Sequence, residues 1–310
     1  LRARLGAVAS FLILFAVAAC AAPQTTHLTA TPRGLPPNAE IAEVPFFPQE
    51  EYYCGPAALA MVLAWSGLPV TQDDLVPQVY TPGREGTFSA DILSAARRNG
   101  RLALEVNSLE AVLGEIAAGN PVLVFQNLAL NWWPQWHFAV AVGYDLPVGQ
   151  LVLRSGLDAR RVTDLATFEH TWRRGGYWAI VALPPERLPA TAGEKDVLRA
   201  AAALERVERP GDAARAYAAI LKRWPVSLGG LMGLGNARYA EGDYRAAEAA
   251  FRHAASHYAA APDPWNNLAY ALIKQGRKGE ALAAAREAVR LAGAESVGPY
   301  EATLKEIKGL

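Results

Sequence analysis

Apolar and polar positions follow three regimes along this chain. Ala7–Ala19 is apolar apart from Ser10 and is preceded by Arg2 and Arg4. The second regime starts at Pro56, which suits a first helical turn because its φ is fixed and it has no N–H to satisfy. From Leu59 to Trp65 apolar side chains cover nearly every face, so this helix belongs inside a domain, and Ser66-Gly67 ends it. Short alternating or buried runs then predict strands at Ile41–Pro45, Leu102–Val106, Pro121–Phe125, His137–Tyr144, Leu151–Arg154 and Tyr177–Leu183. Among them, Thr71 with Asp74 caps a short helix through Val79, Ser89 caps one ending at Asn99-Gly100, and Ser108 caps one ended by Gly119-Asn120. Leu165–Trp172 is a further short helix, and polar, glycine-bearing Tyr80–Thr87 reads as a loop.

The third regime follows Pro184-Pro185 and Pro189, where alanine dominates and β-branched residues thin out. Leu231, Leu234, Gly242, Ala247 and Ala254 recur as Trp265, Leu268, Gly276, Ala281 and Ala288, a 34-residue repeat. Gly211-Asp212 and Ala216 mark an earlier, less regular copy. Helices are expected at 195–208, 212–223, 229–241, 244–257, 264–275 and 278–291, with a last one at 298–308 covering the exposed end.

Composition narrows the classes. The 310 residues suggest two domains, and 52% hydrophobic with 19% charged residues describes a globular chain with real cores. Thirty basic residues balance thirty acidic ones, and no basic run is interleaved with aromatics, so no nucleic-acid partner is expected. The apolar run 7–19 is short for a bilayer span but suits a secretory signal. It ends in Val17-Ala18-Ala19-Cys20, which resembles a bacterial lipobox and implies lipidation at Cys20. Ala21 resembles outer-membrane sorting, so the expected location is the cell envelope, lipid-anchored and facing the periplasm. The predicted layout is a signal at 1–20, a flexible tether at 21–39, an α+β domain at 40–185, a linker at 186–194 and an all-α repeat domain at 195–310.

With Cys20 acylated, Cys54 is the only other cysteine, and no intrachain disulfide can form. It stands at the predicted start of the apolar helix, where the helix dipole is expected to lower its pKa and favour the thiolate. Gln49, five residues upstream, carries an amide able to donate to an oxyanion. His137 opens the strand of small alternating residues (Ala139, Ala141, Gly143), on which the Cys54 helix can pack closely. The other histidines, His27, His170, His253 and His257, are less well placed. Trp132, Trp133 and Trp136 either line a cleft beside His137 or pack on the domain.

Gln49 with Cys54-Gly55-Pro56-Ala57, then His137-Phe138-Ala139-Val140, resembles the papain-like cysteine peptidases, and more closely the bacteriocin-processing (double-glycine) peptidases. The resemblance covers roughly residues 40–185, and the repeats resemble tetratricopeptide repeats. It implies a cysteine peptidase needing no metal or organic cofactor, with Cys54 as nucleophile and His137 as its ion-pair partner and acid. Gln49 and the Cys54 backbone N–H would stabilise the oxyanion. It also implies a carboxylate on the strand after the histidine strand, where this chain has Ser155; Asp158 is the nearest carboxylate. The expected partners are a peptide or protein substrate, the membrane, and a protein bound by the repeats. The alternative is a non-catalytic binding lipoprotein on the same fold. Without an exporter or ATP-binding domain in the sequence, double-glycine leader specificity is not expected.

Overall fold

The computed structural model describes residues 22–31, 34–49, 52–293 and 296–310. The signal segment and Cys20 lie outside the described residues. The chain forms two compact units: one holds the described residues up to Trp65 with Thr71–Ser89 and Glu105–Ile180, the other Ser66–Val70, Ala90–Leu104 and Val181–Leu310.

In chain order the first elements are α1 (Pro23–Ala30), β1 (Asn38–Glu40), α2 (Cys54–Trp65), α3 (Gln72–Val79), β2 (Tyr80–Thr81), β3 (Gly86–Thr87), α4 (Ser89–Arg98), β4 (Leu102–Val106) and α5 (Leu109–Ala117). Then come β5 (Val122–Asn127), β6 (Trp136–Asp145), β7 (Gln150–Ser155), β8 (Asp158–Asp164), α6 (Leu165–Arg174) and β9 (Ala179–Leu183). Among the described residues the sheet has seven strands, in the order β4-β9-β5-β6-β7-β8 with β1 also paired to β6. β6 is its longest strand. Its first half pairs with β5, from Asn127–Trp136 to Val122–Ala141, and its second half with β1, from Glu40–Gly143 to Asn38–Asp145. On the opposite edge it pairs with β7.

The Cys54 helix packs against β6, β5 and β7. Gly55 through Leu63 are all buried, as an all-apolar helix requires. Burying a side chain such as Leu59 or Leu63 contributes about 1.5–3 kcal/mol each. At its start, a Cβ on Gly55 would lie 2.5 Å from Thr87 Oγ1 and 2.6 Å from Thr87 Cβ, so only glycine lets β3 approach this closely.

Three expectations differ from the structure. The strand expected at Ile41–Pro45 lies upstream, at β1, where Asn38 and Ala39 find open partners on β6; Ile41 adds only one bond, N–H to Val142 O at 2.7 Å. Tyr80–Thr87 is a small hairpin, β2–β3, closed around a 3₁₀ turn at Pro82–Arg84. Residues 23–30, expected within a flexible tether, form α1. Proline and threonine made that stretch look unstructured, but Pro23 occupies the first turn and buried Glu169 on α6 caps it. Glu169 accepts from Gln24 N (3.1 Å), Thr25 N (2.7 Å) and Thr25 Oγ1 (2.7 Å), while Gln24 Oε1 accepts from Leu109 N (2.6 Å). β8, absent from the sequence reading, completes a hairpin with β7 through the two-residue turn Gly156-Leu157, in which Gly156 has φ +62°.

The helical repeats match their expected spans to within three residues: α7 (Glu194–Arg206), α8 (Pro210–Arg223), α9 (Leu228–Ala240), α10 (Tyr244–His257), α11 (Pro262–Lys274), α12 (Lys278–Leu291) and α13 (Gly298–Gly309). Gly242 (φ +83°) and Gly276 (φ +75°) make the inter-helix turns. Ala247, Ala254, Ala281 and Ala288 are wholly buried where helices cross, and Ile307 of α13 closes the end of that core. In the same unit, Gly100 sits against Arg209 and Asp212, which places the turn after α4 with the first repeat helices. Among the described residues, no helix is long and apolar enough to cross a membrane.

Glu169→Ala leaves the half-buried Gln24 and Thr25 donors of α1 without this acceptor. Stability is expected to fall by about 2 kcal/mol, with limited proteolysis opening a new site within residues 22–31 while the sheet stays protected.

Candidate active site

Pairing between β6 and β7 begins at Val140–Arg154, so β6 overhangs β7 at the end that carries His137 and Phe138. Phe125, opposite Phe138 on β5, gives its own N–H to Trp178 O. The Phe138 peptide therefore needs partners from outside the sheet. Gln49 supplies one: its Nε2 donates to Phe138 O (3.4 Å), its Oε1 accepts from Gly156 N (3.0 Å), and its backbone N–H donates to Gly156 O (3.1 Å). Gln49 is thus wedged between β6 and the β7–β8 turn, and these bonds fix which way its amide faces. The Phe138 N–H acts on the Cys54 sulfur instead, pulling the thiol pKa down.

These residues face one cavity of about 680 Å³, lined among others by Gln49, Cys54, Thr87, Phe88, Trp136 and His137. The structure brings Cys54, His137 and Gln49 together there. Ser155, buried, stands 2.8 Å from His137 Nε2. Asp158 is exposed at the start of β8, paired through its backbone with Ser155, and makes no hydrogen bond to His137. Ser155 engages Nε2, so Nδ1 is the basic nitrogen when Nε2 carries the proton. In that tautomer Nε2–H donates and the serine hydroxyl accepts.

The electrostatics differ from expectation. Burial pushes the Cys54 thiol above its ordinary pKa, although the N–H groups of Phe138, Gly55 and Cys54 itself pull it down. The expected lowering at the helix start is outweighed because the sulfur is taken out of water. Burial also lowers His137 to about 4, and Arg161 adds to that shift. Ser155 brings no negative charge that would hold an imidazolium. Both shifts favour the uncharged thiol and imidazole, the direction opposite to the ion pair expected from the resemblance.

The sequence reading missed several participants: the Phe138 peptide, Gly156, Arg161 and Thr87. The Thr87 hydroxyl is buried with no hydrogen-bond partner among the described groups and lies against Gly55. None carries a local signal, because each arrives through pairing of distant segments. Of the three tryptophans, Trp136 lines the cavity and stacks on Phe125 (5.2 Å between centroids, 16° between planes), while Trp132 and Trp133 stand exposed outside it. Among the described residues, no group of three or more His, Cys, Asp or Glu side chains could hold a metal ion.

Two predictions follow from the charges. The ultraviolet thiolate absorbance that distinguishes the protein from Cys54→Ser should appear only in the alkaline range; Ser155→Asp should move it toward neutral pH by stabilising imidazolium. His137 binds its proton more weakly folded (about 4) than unfolded (6.5), so the unfolded state binds more protons between those values. Stability present above pH 6.5 is lost as pH falls toward 4, by about 3 kcal/mol. Chemical denaturation of His137→Gln should show a loss smaller by that amount.

Comparison with known proteins adds the following. Residues 41–180 match the family model described as Peptidase_C39 like family, and residues 262–295 match a tetratricopeptide repeat. No curated protein matches the chain. A C39-like peptidase structure from Bacillus anthracis is 20% identical, covering 47% of this chain and 97% of its own, with a TM-score of 0.41. A double glycine motif protease from an AMS/PCAT transporter, solved with its leader peptide, is also 20% identical, covering 47% of this chain and 92% of its own, with a TM-score of 0.35. SycD, the type III secretion translocator chaperone of Yersinia enterocolitica, is 21% identical, covering 37% of this chain and 82% of its own, with a TM-score of 0.35. Residues 41–180 are a peptidase C39-like domain, carried in one chain with a C-terminal tetratricopeptide region.

Proposed function

We propose that the chain is a cysteine peptidase of the cell envelope, lipid-anchored at Cys20, that hydrolyses peptide bonds through Cys54 and His137. One observation carries this reading: Cys54, His137 and Gln49 line one cavity and gather about the backbone of Phe138, the residue after His137. Its chemistry starts from the neutral pair. His137 Nδ1 takes the thiol proton as sulfur attacks the scissile carbonyl carbon, and the carbonyl oxygen takes up the negative charge. The second Nε2–H of Gln49 and the Cys54 backbone N–H stabilise that oxyanion. The imidazolium then gives its proton to the leaving amine, and a thioester remains on Cys54. Water, deprotonated by His137, releases the acid and regenerates the thiol.

Peptide or protein is the substrate class on this reading, and the repeat helices bind a protein partner or the substrate itself. The second reading, a non-catalytic binding module, draws on Ser155, a neutral residue where a carboxylate would steady the imidazolium. Cleavage of a peptide library followed by mass spectrometry separates the two. Peptide-bond cleavage is expected from the full chain and not from Cys54→Ala, with Gln49→Ala slower by about a hundredfold. Cleavage that survives Cys54→Ala, or none from the native chain, contradicts the peptidase reading.

A further inference from the structure

The β5–β6 connection projects an aromatic tip. Leu130, Trp132 and Trp133 are 53%, 78% and 74% exposed, and no charged residue occurs between Asn127 and His137. The tip is nevertheless ordered. Asn127 Oδ1 accepts from Ala129 N and Gln135 N, both at 3.0 Å, Asn127 Nδ2 reaches Leu130 O at 3.3 Å, and Leu130 and Trp133 form a β-bridge. Three large apolar side chains are thus held in water by a fixed turn. Such a uncharged patch, with indoles that are apolar but carry an N–H, matches a bilayer interface.

The attachment of the N-terminus points the same way. Ala22 is buried and α1 is clamped on α6 through Glu169. Only Ala21 separates Cys20 from Ala22 in the sequence, so two residue steps, a reach of at most about 7 Å, join Cys20 to the folded domain. Arg174, one and a half turns beyond Glu169 on α6, donates to Asn127 O at the base of the tip (3.2 Å). One helix therefore holds both the leash and the tip, about 7.5 Å apart along its axis.

We infer that Leu130, Trp132 and Trp133 insert into a lipid surface, seating the peptidase domain on the bilayer with its cleft beside the headgroups. The cleft follows because Trp136, at the root of the same connection, lines the cavity. An acyl chain at Cys20 is part of the proposed function, but insertion of the tip does not require it. Substrates on this account are peptides at the membrane surface.

Ala7–Ala19 contains no tryptophan, so indole emission from the full chain reports only on residues beyond it. The full chain is mixed with phosphatidylcholine vesicles, with or without bromine on the acyl chains, and recovered by flotation. Emission is expected to be quenched by the brominated vesicles, and Trp132→Phe/Trp133→Phe to lose more than half of that quenching with an unchanged far-ultraviolet dichroism spectrum. Equal quenching in both proteins overturns the inference. So does a chain that floats without being quenched or does not float at all, leaving a protein partner as the occupant of the tip.

Discussion

β6 runs past β7, and the Phe138 peptide at that overhang is the constraint on which the cleft depends. A backbone N–H and C=O left without strand partners must be satisfied where they are buried. Here the Phe138 C=O accepts from the Gln49 amide, and the Phe138 N–H acts on the Cys54 sulfur, lowering its pKa. The same arrangement gathers Gln49 and Cys54, the oxyanion donor and nucleophile of the proposed reading, at the strand that carries His137. Gly55 and Thr87 act in support: the missing Cβ lets β3 close over the helix start. Anything that lengthens β7 to pair with Phe138 would evict Gln49 and take the site apart while improving the sheet.

Burial then sets the protonation state. Burial in the protein raises the thiol and lowers the imidazole, and both shifts favour the uncharged forms. A carboxylate beside Nε2 would reverse this by stabilising imidazolium; Ser155 cannot. On the proposed reading the pair is a base and a thiol that exchange a proton only as bond formation proceeds. On that reading, charge would develop inside the cavity, where the Gln49 amide is already held by Phe138 and Gly156 and needs no reorganisation.

Much of this was legible in the sequence, for identifiable reasons. Helix ends were marked by their own chemistry: Thr71 and Asp74 form the reciprocal cap that their spacing indicates, and Gly242 and Gly276 turn where a left-handed φ is needed. The repeat helices were readable because their crossings demand alanine at fixed intervals. The approach of Cys54, His137 and Gln49 followed from a resemblance rather than from periodicity. What stayed hidden was tertiary. α1 looks disordered by composition because its stabilising acceptor, Glu169, lies more than 140 residues away. β8, Asp158–Asp164, is polar and mostly exposed, so it carries no apolar alternation and is defined only by its pairing with β7. The Cys54 shift was expected in the wrong direction because the helix dipole is visible in a sequence and desolvation is not.

The central claim is that His137, neutral at rest, takes the proton of Cys54 as sulfur attacks. The most direct measurement is the rate at which an activated aryl ester acylates Cys54, followed by intact mass from about pH 3 to about pH 10. The account predicts a rate that rises through a midpoint near pH 4, then stays level through neutrality, and that His137→Gln removes this plateau. A rate that climbs only as the thiol ionises in the alkaline range, unchanged by His137→Gln, would contradict it.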